Sequence, residues 1–196
     1  MPRPTATEAL ELLKAGNARF VAGAPIAEPY GPRVAELAGG QQPFAVVLGC
    51  SDSRVPIETV FDQVPGKLFV VRVAGNFVNP HNLGSIEFAV AALQVQLVVV
   101  LGHGDCGAVG AALRYVRDGA AQPGHIQDVV DAVAPAVRAA ADRAGDWHHN
   151  AVAENVALNV RAIASGSRII AESASSGGVQ VIGGIYNVTT GRVAFS

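Results

Sequence analysis

The sequence predicts an α/β fold: a mainly parallel central sheet of four strands, with a C-terminal antiparallel edge strand, flanked by helices. Three observations carry this. Short, continuously apolar runs at 44–48 and 97–101 read as strands buried on both faces. They alternate with stretches whose apolar residues recur at helical spacing, the pattern of a parallel sheet with helices on both sides. Near the end, Thr189-Thr190-Gly191 separates two short strand-like runs as a hairpin turn does.

Taken in order, residues 5–21 predict a helix capped by Thr5 or Thr7, with Leu10, Leu12, Leu13, Phe20 and Val21 at apolar positions. Gly16 lowers helix propensity, so a break or bend is expected there. Residues 22–42 are rich in Pro and Gly and predict an extended connector. With so little core of its own, the first helix is expected to dock on the main body or on a second subunit. After the strand at 44–48, Pro56 suits a first helical position of a short turn ending near Gln63. Pro65-Gly66 is a turn, 68–73 a second strand, and Gly75-Asn76 shapes the turn that closes it. A helix starts at Asn82 or Ser85 and runs to about Val95, with Ile86, Ala89, Val90 and Leu93 on one face. The strand at 97–101 is apolar throughout and therefore central. Helices follow from near Cys106 to Arg117, over 126–143 with a kink or break at Pro135, over 150–164 and over 167–175. Strands at 179–186 and 192–195 close the chain. There is no internal repeat and no domain boundary, so residues 1–196 read as one domain: an N-terminal helix and extended arm (1–42) and an α/β core (43–196).

Composition narrows the function. The chain has 196 residues, half of them apolar, and a formal net charge of -2. Without a basic tract there is no electrostatic case for nucleic acid. No apolar stretch approaches the roughly 18 residues of a membrane span. Met1 to Leu10 show no charged region followed by an apolar one, so no secretory signal is expected and the location is expected to be cytoplasmic. Two cysteines make no disulfide scaffold, and in that compartment thiols serve as metal ligands, as nucleophiles or as small buried hydrophobes.

The reactive residues cluster at two strand ends. Cys50, Asp52 and Arg54 follow the first strand, and His103 and Cys106 follow the third. In a parallel sheet both loops leave at the same edge, where open α/β sheets place their sites. Cys, His and Cys suit Zn²⁺, and three protein ligands rather than four leave a position for water, as in catalytic sites. Taken singly, His-x-x-Cys is a weak motif, and Asp52 with Arg54 is equally a solvated loop pair. A dithiol redox pair would show Cys-x-x-Cys, which is absent. Asp105, between two candidate ligands, is expected to cap the following helix. His81, His125, His148 and His149 fall outside both motifs, and His148-His149 are expected on a solvated helix start.

Cys50-Ser-Asp-Ser-Arg54 followed by His103-x-x-Cys106 resembles the signature of β-class carbonic anhydrases. The likeness continues through 14–20, 69–76, 84–90, 99–103 and 184–191, and so through nearly the whole chain. It implies Zn²⁺ held by Cys50, His103 and Cys106, and reversible hydration of CO₂ to bicarbonate and a proton by zinc-bound hydroxide. Asp52 would orient that hydroxide while Arg54 holds Asp52; in a closed state Asp52 would become the fourth ligand. The resemblance further implies a CO₂ pocket of Gln41, Phe69 and Phe88, one of them from a neighbouring subunit, and a homodimer or homotetramer whose N-terminal helix reaches a partner. Arg72 and Tyr186 match two positions of an inhibitory bicarbonate site found in some members, but Val47 stands where those members carry Trp. Two other readings stay open: hydrolysis of a CO₂ analogue such as CS₂ or COS, and a catalytically silent zinc or bicarbonate-binding protein.

Overall fold

The structure, a computed structural model, describes residues 3–26, 31 and 34–196. Five strands, β1 (Ala45–Gly49), β2 (Leu68–Arg72), β3 (Leu97–His103), β4 (Gln180–Tyr186) and β5 (Val193–Phe195), form one sheet in the order β2-β1-β3-β4-β5. β1 runs parallel to β2 and β3, β3 parallel to β4, and β5 antiparallel to β4. This is the expected arrangement. β1 and β3 are buried at every position, as strands covered on both faces must be. The order places β1 between β2 and β3, with Gly49 opposite both Arg72 and Leu101. The chain leaving β1 therefore emerges between the chains leaving its two neighbours.

Alternation along the strands sorts the core into two layers. Val47 and Leu101 face a cluster with Leu13, Ile57 and Phe61. Val46, Leu48, Val98 and Val100 face the opposite cluster with Ile86, Ile163 and Ile170. Helices α1 (Ala6–Val21) and α3 (Ile57–Val60) cover the first face; α4 (Pro80–Ala91), α7 (Trp147–Gly166) and α8 (Arg168–Ser175) cover the second. Helices α5 (Gly107–Asp118) and α6 (Ile126–Ala139) pack with α7 around Cys50 and Cys106 at the carboxyl end of the sheet.

Several elements differ from expectation for identifiable reasons. α1 is capped by Thr5, whose side chain and that of Glu8 form a reciprocal box, and it runs through Gly16 without a break. A Cβ at Gly16 would lie 1.8 Å from the Phe61 carbonyl oxygen, so glycine serves close approach rather than a bend. Ala9 and Leu13 are fully buried, and Asn17 donates to the Val60 and Gly191 carbonyls. α1 is thus docked on its own subunit; a partner can meet only its outer face, where Leu12 is exposed.

Part of the 22–42 connector, residues 27–30 and 32–33, lies outside the described residues, and the remainder contains a short helix, α2 (Val34–Leu37). Pro56 is the cap of α3 rather than its first residue. α4 starts before Asn82 because Asn79 caps it, Pro80 opens it, and Asn82 completes the capping box. α6 continues through Pro135, where Pro135 and Asp131 lie on the exposed side and the carbonyl freed by the missing N–H is open to water. α7 starts before residue 150 because Asp146 caps it through His149 N–H. No helix among the described residues is long and apolar enough to cross a membrane.

Candidate metal centre

Cys50 is the first residue beyond β1, His103 is the last of β3, and Cys106 is the cap residue of α5. Because β1 and β3 are adjacent and parallel, the two loops meet. The ligand atoms of Cys50, His103 and Cys106 all lie within 4.8 Å of one another. All three residues are buried. His103 Nδ1–H donates to the Gly104 carbonyl at 2.8 Å, which leaves Nε2 as the lone-pair nitrogen. That Nε2 is buried and has no hydrogen-bond partner. Two sulfurs converging on an orphaned imidazole nitrogen are a donor set suited to zinc, and a bound metal would satisfy one of the two buried side-chain polar atoms left without a partner among the described residues, the other being Asn76 Nδ2.

The thiols are set up unequally. The Cys106 S–H, the His103 ring and the Gly75 N–H (3.3 Å from Cys50 Sγ) favour the Cys50 thiolate over the penalty of burial, bringing its pKa down to about 4. Cys106 is pushed up by the same contact, which engages its proton, and by burial. Burial opposes the His103 imidazolium, but the neighbouring Cys50 thiolate outweighs it and raises the pKa.

Asp52 sits beside this cluster, and Arg54 holds it on three sides. Its Oδ1 accepts from the Arg54 backbone N–H at 2.9 Å and from Nε at 3.0 Å, while Oδ2 accepts from Nη2 at 2.8 Å. These bonds hold the carboxyl far below the usual range despite partial burial. Oδ2 lies 3.9 Å from His103 Nε2. Arg54 Nη2 also donates to the Asp105 carbonyl at 3.2 Å, so it ties the two loops together. Asp105 adopts a left-handed backbone (φ 53°) and does not cap α5; Cys106 occupies that position with no side-chain cap bond.

The expected pocket residues are only partly assembled. Phe69 on β2 and Phe88 on α4 have ring centroids 6.2 Å apart, and Phe88 is exposed. Gln41 is exposed at the amino end of β1, in a cleft with Leu37, Gly66 and Lys67. It is therefore at the opposite end of the strand from Cys50, and one chain does not bring it to the cluster. Val47 and Tyr186 belong to the core.

Some contributors have no motif in the sequence. His148, expected in solvent, is half-buried and donates through Nε2 to the Cys106 carbonyl at 3.1 Å. Asn155 Nδ2 donates to the Gly75 carbonyl at 2.8 Å, and Asn159 Oδ1 accepts from Val78 N–H at 2.7 Å. The available signal was two asparagines four residues apart on an otherwise apolar helix face. His149 is exposed as expected, and His81 and His125 are exposed as well.

Comparison with known proteins agrees with this geometry. Residues 45–193 match the family profile described as carbonic anhydrase. The chain is 43% identical to carbonic anhydrase 2 of Mycobacterium tuberculosis over 197 residues, covering 98% of this chain and 93% of that one. It is 42% identical to a carbonic anhydrase of Mycolicibacterium smegmatis, covering 98% and 94%. Among solved structures, one of two β-carbonic anhydrases of Sordaria macrospora, described as tetrameric, superimposes with a TM-score of 0.71 at 30% identity, over 84% of this chain and 86% of that one. A β-carbonic anhydrase of Aspergillus fumigatus gives 0.72 at 28% identity, over 97% and 89%. A matching profile over most of the chain, relatives above 40% identity along nearly its full length, and the same fold around a Cys-His-Cys cluster place the chain in the β-carbonic anhydrase family.

Proposed function

We propose that the chain catalyses the zinc-dependent, reversible hydration of CO₂ to bicarbonate and a proton. The observation that carries this is the orphaned His103 Nε2, converging with the sulfurs of Cys50 and Cys106 beside a carboxylate that Arg54 holds ionised. Cys50 Sγ, His103 Nε2 and Cys106 Sγ hold the ion. Zinc, when bound, supplies acidification of water near neutral pH. Asp52 presents an acceptor oxygen that takes a hydrogen bond from the attacking water and fixes its orientation. Arg54 keeps that oxygen charged and aimed. Released from Arg54, Asp52 is close enough to become a fourth ligand and shut the site.

Phe69 and Phe88 supply an apolar wall suited to CO₂, a small molecule with no net dipole. Gln41 joins the pocket from a second copy of the chain, which makes the working form at least a dimer. The chain acts as one domain in the cytoplasm.

Stopped-flow CO₂ hydration with and without a zinc chelator, alongside a CS₂ assay, tests the reaction. Chelator-sensitive CO₂ hydration is expected; turnover of CS₂ in its place overturns the substrate. Arg54→Ala is expected to keep zinc and lose activity, because the freed Asp52 takes the water's position. An active Arg54→Ala enzyme with unchanged zinc content would falsify the role given to the pair.

A further inference from the structure

Arg72 is the last residue of β2, paired in register with Gly49 at the end of β1. The backbone ladder between these strands runs slightly past their ends: Val73 N–H donates to Gly49 O at 3.1 Å and Ser51 N–H to Val73 O at 3.3 Å. Beyond that point the side chain of Arg72 takes over. Its Nε donates to the Cys50 carbonyl at 3.0 Å and its Nη2 to the Asp52 carbonyl at 2.7 Å. The Asp52 carbonyl also accepts from Val55 N–H at 3.0 Å, closing the turn that contains Arg54.

We infer that Arg72 is a positioning residue for the metal loop: its planar fork spans the carbonyls of Cys50 and Asp52 and sets the geometry in which thiolate and carboxylate face one centre. The inference rests on the zinc reading above. A guanidinium has donors at fixed separation, so it couples the two peptide units rather than merely placing charge near them. Both acceptors are main-chain atoms of the residues whose side chains matter, one a sulfur donor and one the orienting carboxylate. Arg54 controls the Asp52 side chain; Arg72 controls the backbone from which that side chain hangs.

The test uses zinc-loaded enzyme and two variants, Arg72→Met and Arg72→Lys. Arg72 is exposed, so each of its bonds is worth no more than an ordinary net hydrogen bond, and losing two corresponds to an effect of about tenfold to a hundredfold. Zinc release to a chromophoric chelator is expected to accelerate by about tenfold or more in Arg72→Met. kcat is expected to fall by a similar factor with little change in KM, since Arg72 bonds the loop backbone that carries Asp52. The cobalt-substituted variants are expected to show a shifted visible spectrum at equal metal occupancy, which a change confined to global stability would not produce. Lysine supplies one charged donor in place of the fork, so Arg72→Lys is expected to recover only part of the loss. Should Arg72→Met fail to fold, Arg72→Lys carries the comparison. Full recovery by Arg72→Lys, or either variant within about twofold of wild type in zinc release and kcat, overturns the inference. Wild type that neither holds zinc nor hydrates CO₂ overturns the proposed function and this inference with it; active wild type beside unaffected variants overturns this inference alone.

Discussion

Asn155→Ala probes how the metal pocket is braced from behind. Asn155 is buried, and its Nδ2 donates to the Gly75 carbonyl at 2.8 Å. Gly75 in turn presents its N–H to Cys50 Sγ. Asn155 also serves Asn159, which donates to its backbone carbonyl at 2.7 Å and its side-chain oxygen at 3.2 Å. Truncation removes the bond to Gly75, about 1 kcal/mol, and the longer bond from Asn159, whose Nδ2 keeps the backbone carbonyl, and it strands the buried Gly75 carbonyl at about 1–3 kcal/mol more. The expected loss is therefore about 2–4 kcal/mol, or a fall in Tm of about 5–15 °C for a chain of this size. Urea unfolding of the zinc-loaded protein, at one protein concentration because metal and self-association both move the midpoint, measures it. Asn155→Asp is the shape-matched control: it turns an acceptor toward an acceptor and is expected to lose at least as much at neutral pH. Zinc release should quicken in both variants, since the Gly75 N–H is no longer held against the thiolate. A loss below about 0.5 kcal/mol with unchanged zinc release would refute the bracing argument.

Three further expectations follow from particular contacts. With metal stripped, the two buried thiols share a proton with the thiolate favoured on Cys50, so iodoacetamide should alkylate Cys50 before Cys106; peptide mapping reads the order, and faster labelling of Cys106 contradicts it. Burial alone would raise the pKa of Glu154, but its bonds to Arg161 and Arg143 outweigh burial and lower it, so its stabilisation is present above the ordinary value of 4.5 and is lost as pH falls through the lower folded-state value. Glu154→Gln should cost only about 1 kcal/mol at neutral pH, both arginines being half-exposed, and should flatten the acid limb of Tm against pH; an unchanged acid limb would exclude Glu154 as its source. Gly16→Ala sets helix propensity, about 1 kcal/mol in favour, against a Cβ driven into the Phe61 carbonyl, an overlap with backbone that costs about 3 kcal/mol or more. The clash wins on these magnitudes and Tm should fall by several degrees; a rise would mean α1 and α3 are not in the contact described.

The parts of the fold legible in sequence are those where local pattern and tertiary environment agree. β1 and β3 are apolar at nearly every position because both faces are covered, and the cluster at their ends stands out because Asp, Arg and His are poor residues for such a core and both cysteines of the chain fall among them. Legibility fails where a long-range contact reassigns a residue. Gly16 reads as a helix breaker until Phe61, 45 positions on, is found against it. His148 reads as solvated because nothing in its neighbourhood of the sequence announces the Cys106 carbonyl. Asn82 offers the same capping chemistry as Asn79, three residues earlier, so the sequence does not separate them; the reciprocal bond between the two shows that both belong to one device. Gln41 has the opposite problem: the resemblance assigns it to a site from which β1 separates it, so the role proposed for it requires a second chain.

The strand order explains why Asp52 is held so firmly. β1 lies between β2 and β3, so the loop after β1 is flanked on one side by the chain leaving β2 and on the other by the chain leaving β3. Each flank supplies bonds of a different kind. From the β2 side come Gly75 N–H to the Cys50 sulfur and the Arg72 fork to the loop carbonyls. On the β3 side, Arg54 reaches out to the Asp105 carbonyl, which the left-handed backbone at 105 makes available. The carboxylate is therefore fixed through its side chain toward one neighbour and through its main chain toward the other. The proposed closed arrangement, with Asp52 as a fourth ligand, would require the Arg54 bonds to break and would leave the Arg72 bonds in place. The two arginines are thus separable: loss of Arg54 should favour the closed arrangement, and loss of Arg72 should blur the distinction between open and closed, because the backbone that defines both is no longer held.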